Sequence, residues 1–340
     1  MARFEVDEDI RKARTLPSEF YTDERFFELS KERIFARSWH LLGRVSELDQ
    51  LTPINLLPDV LDEPLLLTRS GSEVRCISNV CTHRGKVLIE QPCSGDLIRC
   101  GYHGRRFDLS GKFLSMPEFE GVEDFPSASD DLAKVPTAAK GGFVFASLAP
   151  AAGLDEFAAG AEREFAALPE KFTAAPVREY EVDAHWALYC ENYLEGFHIP
   201  FVHKGLNAVV DYGSYATETL RFSSVQTALD GQGRRAAKYL FVFPNLMFNF
   251  YPWGVSVNIV RPISASRTQV AFLSYIADET LFGKGAGGDL HTVELEDEAV
   301  VESVQRGIRS RYYSRGRYSP TREQGTHHFH RLIAEFIGDH

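Results

Sequence analysis

The chain has 340 residues, with 37 Lys plus Arg against 48 Asp plus Glu, a formal net charge of −11. That balance argues against a nucleic-acid backbone binder and against docking on anionic lipid. No run approaches the roughly 18 unbroken apolar residues of a membrane span, and the N-terminus lacks the apolar core of a signal peptide.

The length suits two domains or one large one. Residues 1–40 read as short helices, with Phe26, Phe27, Leu29, Ile34 and Phe35 at near-helical spacing. From 41 to 150 the texture changes to short β runs, at 64–68, 74–78, 96–100 and 142–146, with Ser-Gly hairpin signals around them. This is a small β domain. Residues 150–153 mark a boundary. Helices are expected over 155–168 and 183–197, the second stopped by Pro200. Strands follow through 216–277, then a flexible loop at 283–288 and a strongly patterned helix over 291–313. Residues 151–340 are therefore α+β: an antiparallel sheet with flanking helices.

Five cysteines, Cys76, Cys81, Cys93, Cys100 and Cys190, make a poor disulfide framework and a better source of metal ligands in a reducing, cytoplasmic setting. Cys81-Thr82-His83 is followed, sixteen residues on, by Cys100-Gly101-Tyr102-His103. Each pair falls at the end of a predicted strand. Two thiolates on one iron and two imidazoles on the other form the mixed ligand set of a Rieske [2Fe–2S] centre. A structural Cys2His2 zinc site is the alternative, but its thiolates and its histidines usually pair like with like. Cys76, Cys93 and Cys190 lack matching histidines and read as buried or inert.

The motif resembles the Rieske domain of the Rieske non-haem iron oxygenases, the ring-hydroxylating family. The likeness runs through Arg84-Gly85 and Tyr102-His103-Gly104. Many relatives carry Trp after that His-Gly, and here Arg105 stands there.

A second constellation spans Trp186 to His203 and contains N-x-x-E-x-x-H-x-x-x-x-H, from Asn192 through Glu195 and His198 to His203. Two neutral imidazoles plus one carboxylate make the facial triad that binds Fe(II). His198 and His203 lie about 140° apart on a regular helix, so Pro200 between them should end the helix and turn the chain. The pattern resembles the family's mononuclear iron site. The carboxylate must come from elsewhere. In the helix near 294–308 the stripe of Val300, Val301, Val304 and Ile308 centres within about 10° of Asp297. Glu296 and Glu298 each lie roughly 100° away and Glu294 about 65° away, so Asp297 is the acid aimed inward. The family's motif picks the same residue. His327, His328 and His330 read as a solvated or stacking cluster on an amphipathic helix.

The resemblance covers nearly the whole chain. It implies a Rieske β domain (41–150) inserted near the N-terminus of a helix-grip catalytic domain (151–340), on which the helical segment 1–40 packs. It further implies a terminal oxygenase that uses O2 and two electrons, supplied from NAD(P)H by a separate flavin and iron–sulfur reductase. The absence of a G-x-G-x-x-G nucleotide fingerprint agrees with that. By resemblance, three chains form a ring, and Glu195 bridges its own His198 to the facing His103 of a neighbour. Glu195, three residues before His198, shares a helix face with it on this reading.

The 195–198 stretch and the helix around 304–310 look like the branch acting on choline, carnitine and betaines. The aromatic run over 239–253 could cage a quaternary ammonium, although core packing explains most of it as well. Aromatic hydroxylation or O-demethylation stays open. A different class of answer is a non-catalytic Rieske electron carrier, for which the roughly 190 further residues are superfluous.

Overall fold

The computed structural model describes residues 4–71, 73–209 and 211–338. The chain divides into Trp39–Ala151 on one hand and Met1–Ser38 with Ala152–His340 on the other.

Trp39–Ala151 is built from three antiparallel sheets. His40–Arg44 pairs with Phe143–Ala146, which pairs with Thr137–Lys140. Leu51–Leu56, Glu63–Ser70, Glu73–Ser78 and Lys134–Val135 form the second sheet, and Ile98–Arg99, Arg106–Phe107 and Phe113–Ser115 the third. The run Leu65-Leu66-Leu67 shows why these layers close. Successive side chains of a strand point to opposite faces. Leu66 packs with Ile77, Cys81, Cys100 and Phe107, and Leu65 and Leu67 with Cys76, Val144 and Ala146. All three leucines are at most 1% exposed, so each contributes about 1.5–3 kcal/mol by leaving water. The first cluster includes both Cys81 and Cys100, so the loops they open grow from a packed core.

The other unit carries an eight-stranded antiparallel sheet. Six strands meander in sequence: Ala216–Thr219, Ser223–Leu229, Arg235–Val242, Leu246–Tyr251, Gly254–Ser264 and Arg267–Ile276. Thr173–Ala174 and Arg178–Val182 both pair with the last. Strand alternation sorts the aromatic run. Phe248 and Phe250 meet Phe165 of the helix Glu162–Ala167. Asn249 and Tyr251 point the other way, into a cavity. On that side the helix Trp186–Tyr193 packs against the long helix Leu290–Ile308 and strand Gly254–Ser264. The sheet with its long helix is the helix-grip arrangement. The C-terminal helix Gln324–Gly338 inserts Phe329 among Trp186, Phe241 and Phe243. No helix among the described residues is long and apolar enough to cross a membrane.

Several expected boundaries move. The segment expected as one helix over 155–168 is two short ones, Leu154–Phe157 and Glu162–Ala167, separated where Gly160 takes φ +98°. The helix expected over 183–197 starts at Trp186, where the buried His185 caps it by accepting from the Ala187 amide at 3.3 Å. Burial pushes His185 down to about 3, which keeps that ring neutral and able to accept. The same helix stops at Tyr193. The Glu195 carboxylate then accepts from the amides of Phe197 and His198, replacing the helical backbone partners. Pro200 sits in the first turn of the short helix Ile199–Val202, opening a helix rather than ending one.

Candidate metal centres

Cys81 and Cys100 open two loops with one backbone pattern. The Cys81 amide donates to Lys86 O at 2.8 Å and the Gly85 amide to Cys81 O at 3.0 Å. The Cys100 amide donates to Arg105 O at 2.8 Å and the Gly104 amide to Cys100 O at 3.0 Å. Gly85 and Gly104 stand at φ +74° and +76°, a left-handed conformation that favours glycine. Both cysteines are buried; His83 and His103 are half-buried, their ring centroids 4.8 Å apart. His103 Nδ1 is buried with no hydrogen-bond partner among the described residues. An orphaned imidazole nitrogen beside two inward thiols fits a cluster with sulfur ligands on its buried side and imidazoles on its outer side.

Arg105 directly follows the second loop's His103-Gly104. It is 2% exposed. Its guanidinium reaches Asp130 Oδ1 at 2.6 Å and lies 4.7 Å from the Phe113 ring centre and 5.6 Å from that of Phe125. Thr82 Oγ1 donates to the Asp130 carbonyl at 2.9 Å, so Asp130 ties the two loops together.

In the larger unit His198, His203 and Asp297 converge, with ligand atoms all within 4.8 Å of one another. His203 Nε2 lies 3.0 Å from Asp297 Oδ1 and 3.2 Å from His198 Nε2, and His198 Nε2 lies 3.5 Å from Asp297 Oδ1. The other nitrogen of each ring is held by an acid: His198 Nδ1 by Glu195 Oε1 at 2.6 Å, His203 Nδ1 by Glu296 Oε2 at 2.7 Å. Those carboxylates fix the proton on Nδ1, an inference from the hydrogen-bond network. Both Nε2 atoms then present lone pairs to each other and to an anionic oxygen. Such a face suits a cation. Separations near 3 Å are those of neighbouring ligand atoms bound at about 2.1 Å to a first-row metal. Burial opposes charge on His203, but Asp297 and Glu296 outweigh it and raise its pKa. Asn192 Nδ2 donates to Asp297 Oδ1 at 2.6 Å and fixes that carboxylate.

Three expectations are corrected here. Glu195 shares no helix with His198; it reaches the ring from a turn. Glu296, expected to face elsewhere, orients His203. The buried stripe of the long helix is Glu294, Val301, Gln305 and Ile308, while Val304 is 42% exposed. Glu294 is tolerated inside because Tyr189 Oη donates to its Oε2 at 2.7 Å. Burial holds its carboxyl well above the usual range. An acid inside an apolar stripe is the sequence signal that could have revealed Glu294.

His327 and His330 are buried, not solvated. His330 Nδ1 meets Tyr318 Oη at 2.6 Å, and its Nε2 lies 3.0 Å from Glu191, to which Tyr21 Oη donates at 2.7 Å. This network anchors the helix that carries Asn192. Cys76 and Cys190 are buried; Cys93 is exposed.

Comparison with known families gives a Rieske [2Fe-2S] domain over residues 38–126 and a ring hydroxylating alpha subunit (catalytic domain) over 212–339. The chain carries the two domains of a Rieske non-haem iron oxygenase. It is an oxidoreductase, the terminal oxygenase component of its system, and takes a Rieske [2Fe–2S] cluster and a mononuclear iron, with electrons supplied by a reductase. This oxygenase is 28% identical to the chloroplastic choline monooxygenase of Arabidopsis thaliana, over 98% of the chain and 85% of that protein. It is 29% identical to the carnitine monooxygenase oxygenase subunit of Escherichia coli (strain K12), over 97% of the chain and 95% of that protein. A solved quaternary ammonium Rieske monooxygenase, studied for carnitine oxidation and inter-subunit electron transfer, superposes with a TM-score of 0.79 at 26% identity, covering 98% of this chain and 100% of that one.

Proposed function

We propose that this oxygenase inserts one oxygen atom into a small quaternary ammonium compound, hydroxylating or demethylating it. One observation carries the reading: the cavity over His198, His203 and Asp297 is walled by Tyr193, Tyr215, Tyr239 and Tyr251. A quaternary ammonium group has no N–H to donate, so aromatic faces are its natural partners. Burial raises the pKa of these phenols, Tyr239 to about 12, so they present neutral rings. The choline and carnitine monooxygenase relatives support the same substrate class.

Cys81 and Cys100 would hold one iron of the cluster and His83 and His103 the other; His198, His203 and Asp297 would hold the mononuclear iron. When bound, these centres supply electron storage and oxygen activation. The chain supplies position. Glu195 and Glu296 hold the imidazole protons away from the metal face, Asn192 fixes Asp297, and the tyrosines seat the substrate. Residues 41–150 form the electron-entry domain and 151–340, with 1–40, the catalytic one. The working assembly is a homotrimer in which Glu195 links its own His198 to His103 of the partner subunit. The 2.6 Å Glu195–His198 contact supports this, as does the inter-subunit electron transfer described for the relative. Five cysteines, none of them paired in a disulfide, suit a cytoplasmic, reducing location.

The test is NADH consumption with a surrogate reductase over choline, betaines, aryl acids and methoxyarenes. Product-coupled consumption with a quaternary ammonium compound supports the reading. Turnover confined to aryl acids or methoxyarenes makes the protein an aromatic hydroxylase or O-demethylase instead.

A further inference from the structure

Among the described residues lining the cavity there is no Lys and no Arg, while three carboxylates face it: Glu195, Glu294 and Asp297. Two of the three are committed. Glu195 holds His198, and Asp297 is engaged by Asn192 and His203. Glu294 differs. It is 4% exposed, its Oε2 accepts from Tyr189, and its Oε1 is buried with no partner among the described residues. A buried carboxylate oxygen without a partner is costly, and a cation arriving beside it removes that cost and restores the ionised form. The opposite wall is polar and neutral. Tyr193 Oη donates to Asn249 Oδ1 at 2.7 Å, Asn249 Nδ2 to Asn258 Oδ1 at 3.0 Å, and Ser256 Oγ to the same oxygen at 3.3 Å. Such a wall can meet a hydroxyl or carbonyl but offers no counter-charge to a carboxylate.

We infer that Glu294 is a specificity-determining residue, the counter-ion of the substrate's ammonium group, and that the cavity selects a carboxylate-free organic cation such as an amino alcohol over a zwitterionic betaine. The inference rests on the quaternary ammonium reading and narrows it. The attraction is the ion pair with Glu294. The discrimination comes from the missing counter-charge, because a substrate carboxylate would meet Glu294 and no Lys or Arg among the described lining residues.

The metal-loaded protein is titrated calorimetrically with choline, with its uncharged carbon isostere 3,3-dimethylbutan-1-ol, and with carnitine. Choline is expected to bind at least about tenfold more tightly than either of the others. Glu294→Gln keeps the shape and removes the charge. It should cut the choline-to-isostere ratio about tenfold, leaving the isostere's affinity and the visible Rieske absorbance unchanged. Carnitine binding as tightly as choline, or an unchanged ratio in Glu294→Gln, overturns the inference. If Glu294→Gln does not fold, the wild-type ratios decide alone. Carnitine that binds as tightly as choline and is oxidised sinks this inference but leaves the quaternary ammonium reading standing. If no quaternary ammonium compound binds or is oxidised, the substrate reading falls as well.

Discussion

Glu296 Oε2 lies 2.7 Å from His203 Nδ1, and the residue that follows it on the same helix, Asp297, takes the opposite nitrogen of that ring at 3.0 Å. Adjacent helical residues diverge by about 100°, so the two carboxylates approach the imidazole from different sides. Glu296→Ala should weaken mononuclear iron binding by about 10–100-fold, the usual effect of losing the acid behind a metal-bound histidine. Iron retention during dialysis against a graded chelator measures this. Retention equal to wild type would remove Glu296 from the site.

Asp297→Ala should abolish the mononuclear iron altogether. About three irons and two acid-labile sulfides per chain are expected in the wild type, and about two of each in the variant. The visible Rieske spectrum should persist while product formation disappears. An equal loss of cluster iron would point to misfolding rather than to a lost ligand.

His103→Cys should retain a cluster and lower its reduction potential, because a charged thiolate replaces a neutral imidazole. Protein-film voltammetry reads the shift. An unchanged potential would exclude His103 as a ligand.

Arg105→Ala should destabilise the Trp39–Ala151 unit. It leaves Asp130 without its buried partner and empties a box formed by Phe113 and Phe125. Breaking a buried ion pair by removing one member costs about 3–5 kcal/mol. The bleaching temperature of the Rieske absorbance is the readout. Asp130 is partly exposed, at 18% of its side chain, which places the loss toward the lower end of that range.

Glu195→Ala should keep both metal centres and the assembly, yet hold its cluster electron when O2 and substrate reach the reduced enzyme. Stopped-flow absorbance in a single turnover follows this directly. Reoxidation at the wild-type rate with full product yield would end the bridging role.

The sequence by itself determined the donor chemistry. Cys81, His83, Cys100 and His103 sit close together in two short loops, and His198 and His203 flank a single helical turn. Local spacing therefore encodes them, and the left-handed Gly85 and Gly104 are local as well. The α+β class was equally legible, because strands of period two and helices of period 3.6 write themselves into hydrophobic order. The helical stripe also pointed to Asp297, but only the tertiary structure decided that Glu294 and Glu296 serve the site. Glu294, Glu296 and Glu298 crowd the same helix as Asp297, and a helical wheel does not reveal the part each of them plays, because a buried carboxylate is fixed by its partner and not by its neighbours in sequence. Tyr189, His203 and Asn192 come from about 90 to 105 residues earlier and select Glu294, Glu296 and Asp297 in turn. The same reason separates Tyr239 and Tyr251, which line the cavity, from Phe248 and Phe250, which fill the core. One aromatic run serves both, and the side each ring takes is settled by the register of the sheet and by the layers it packs between.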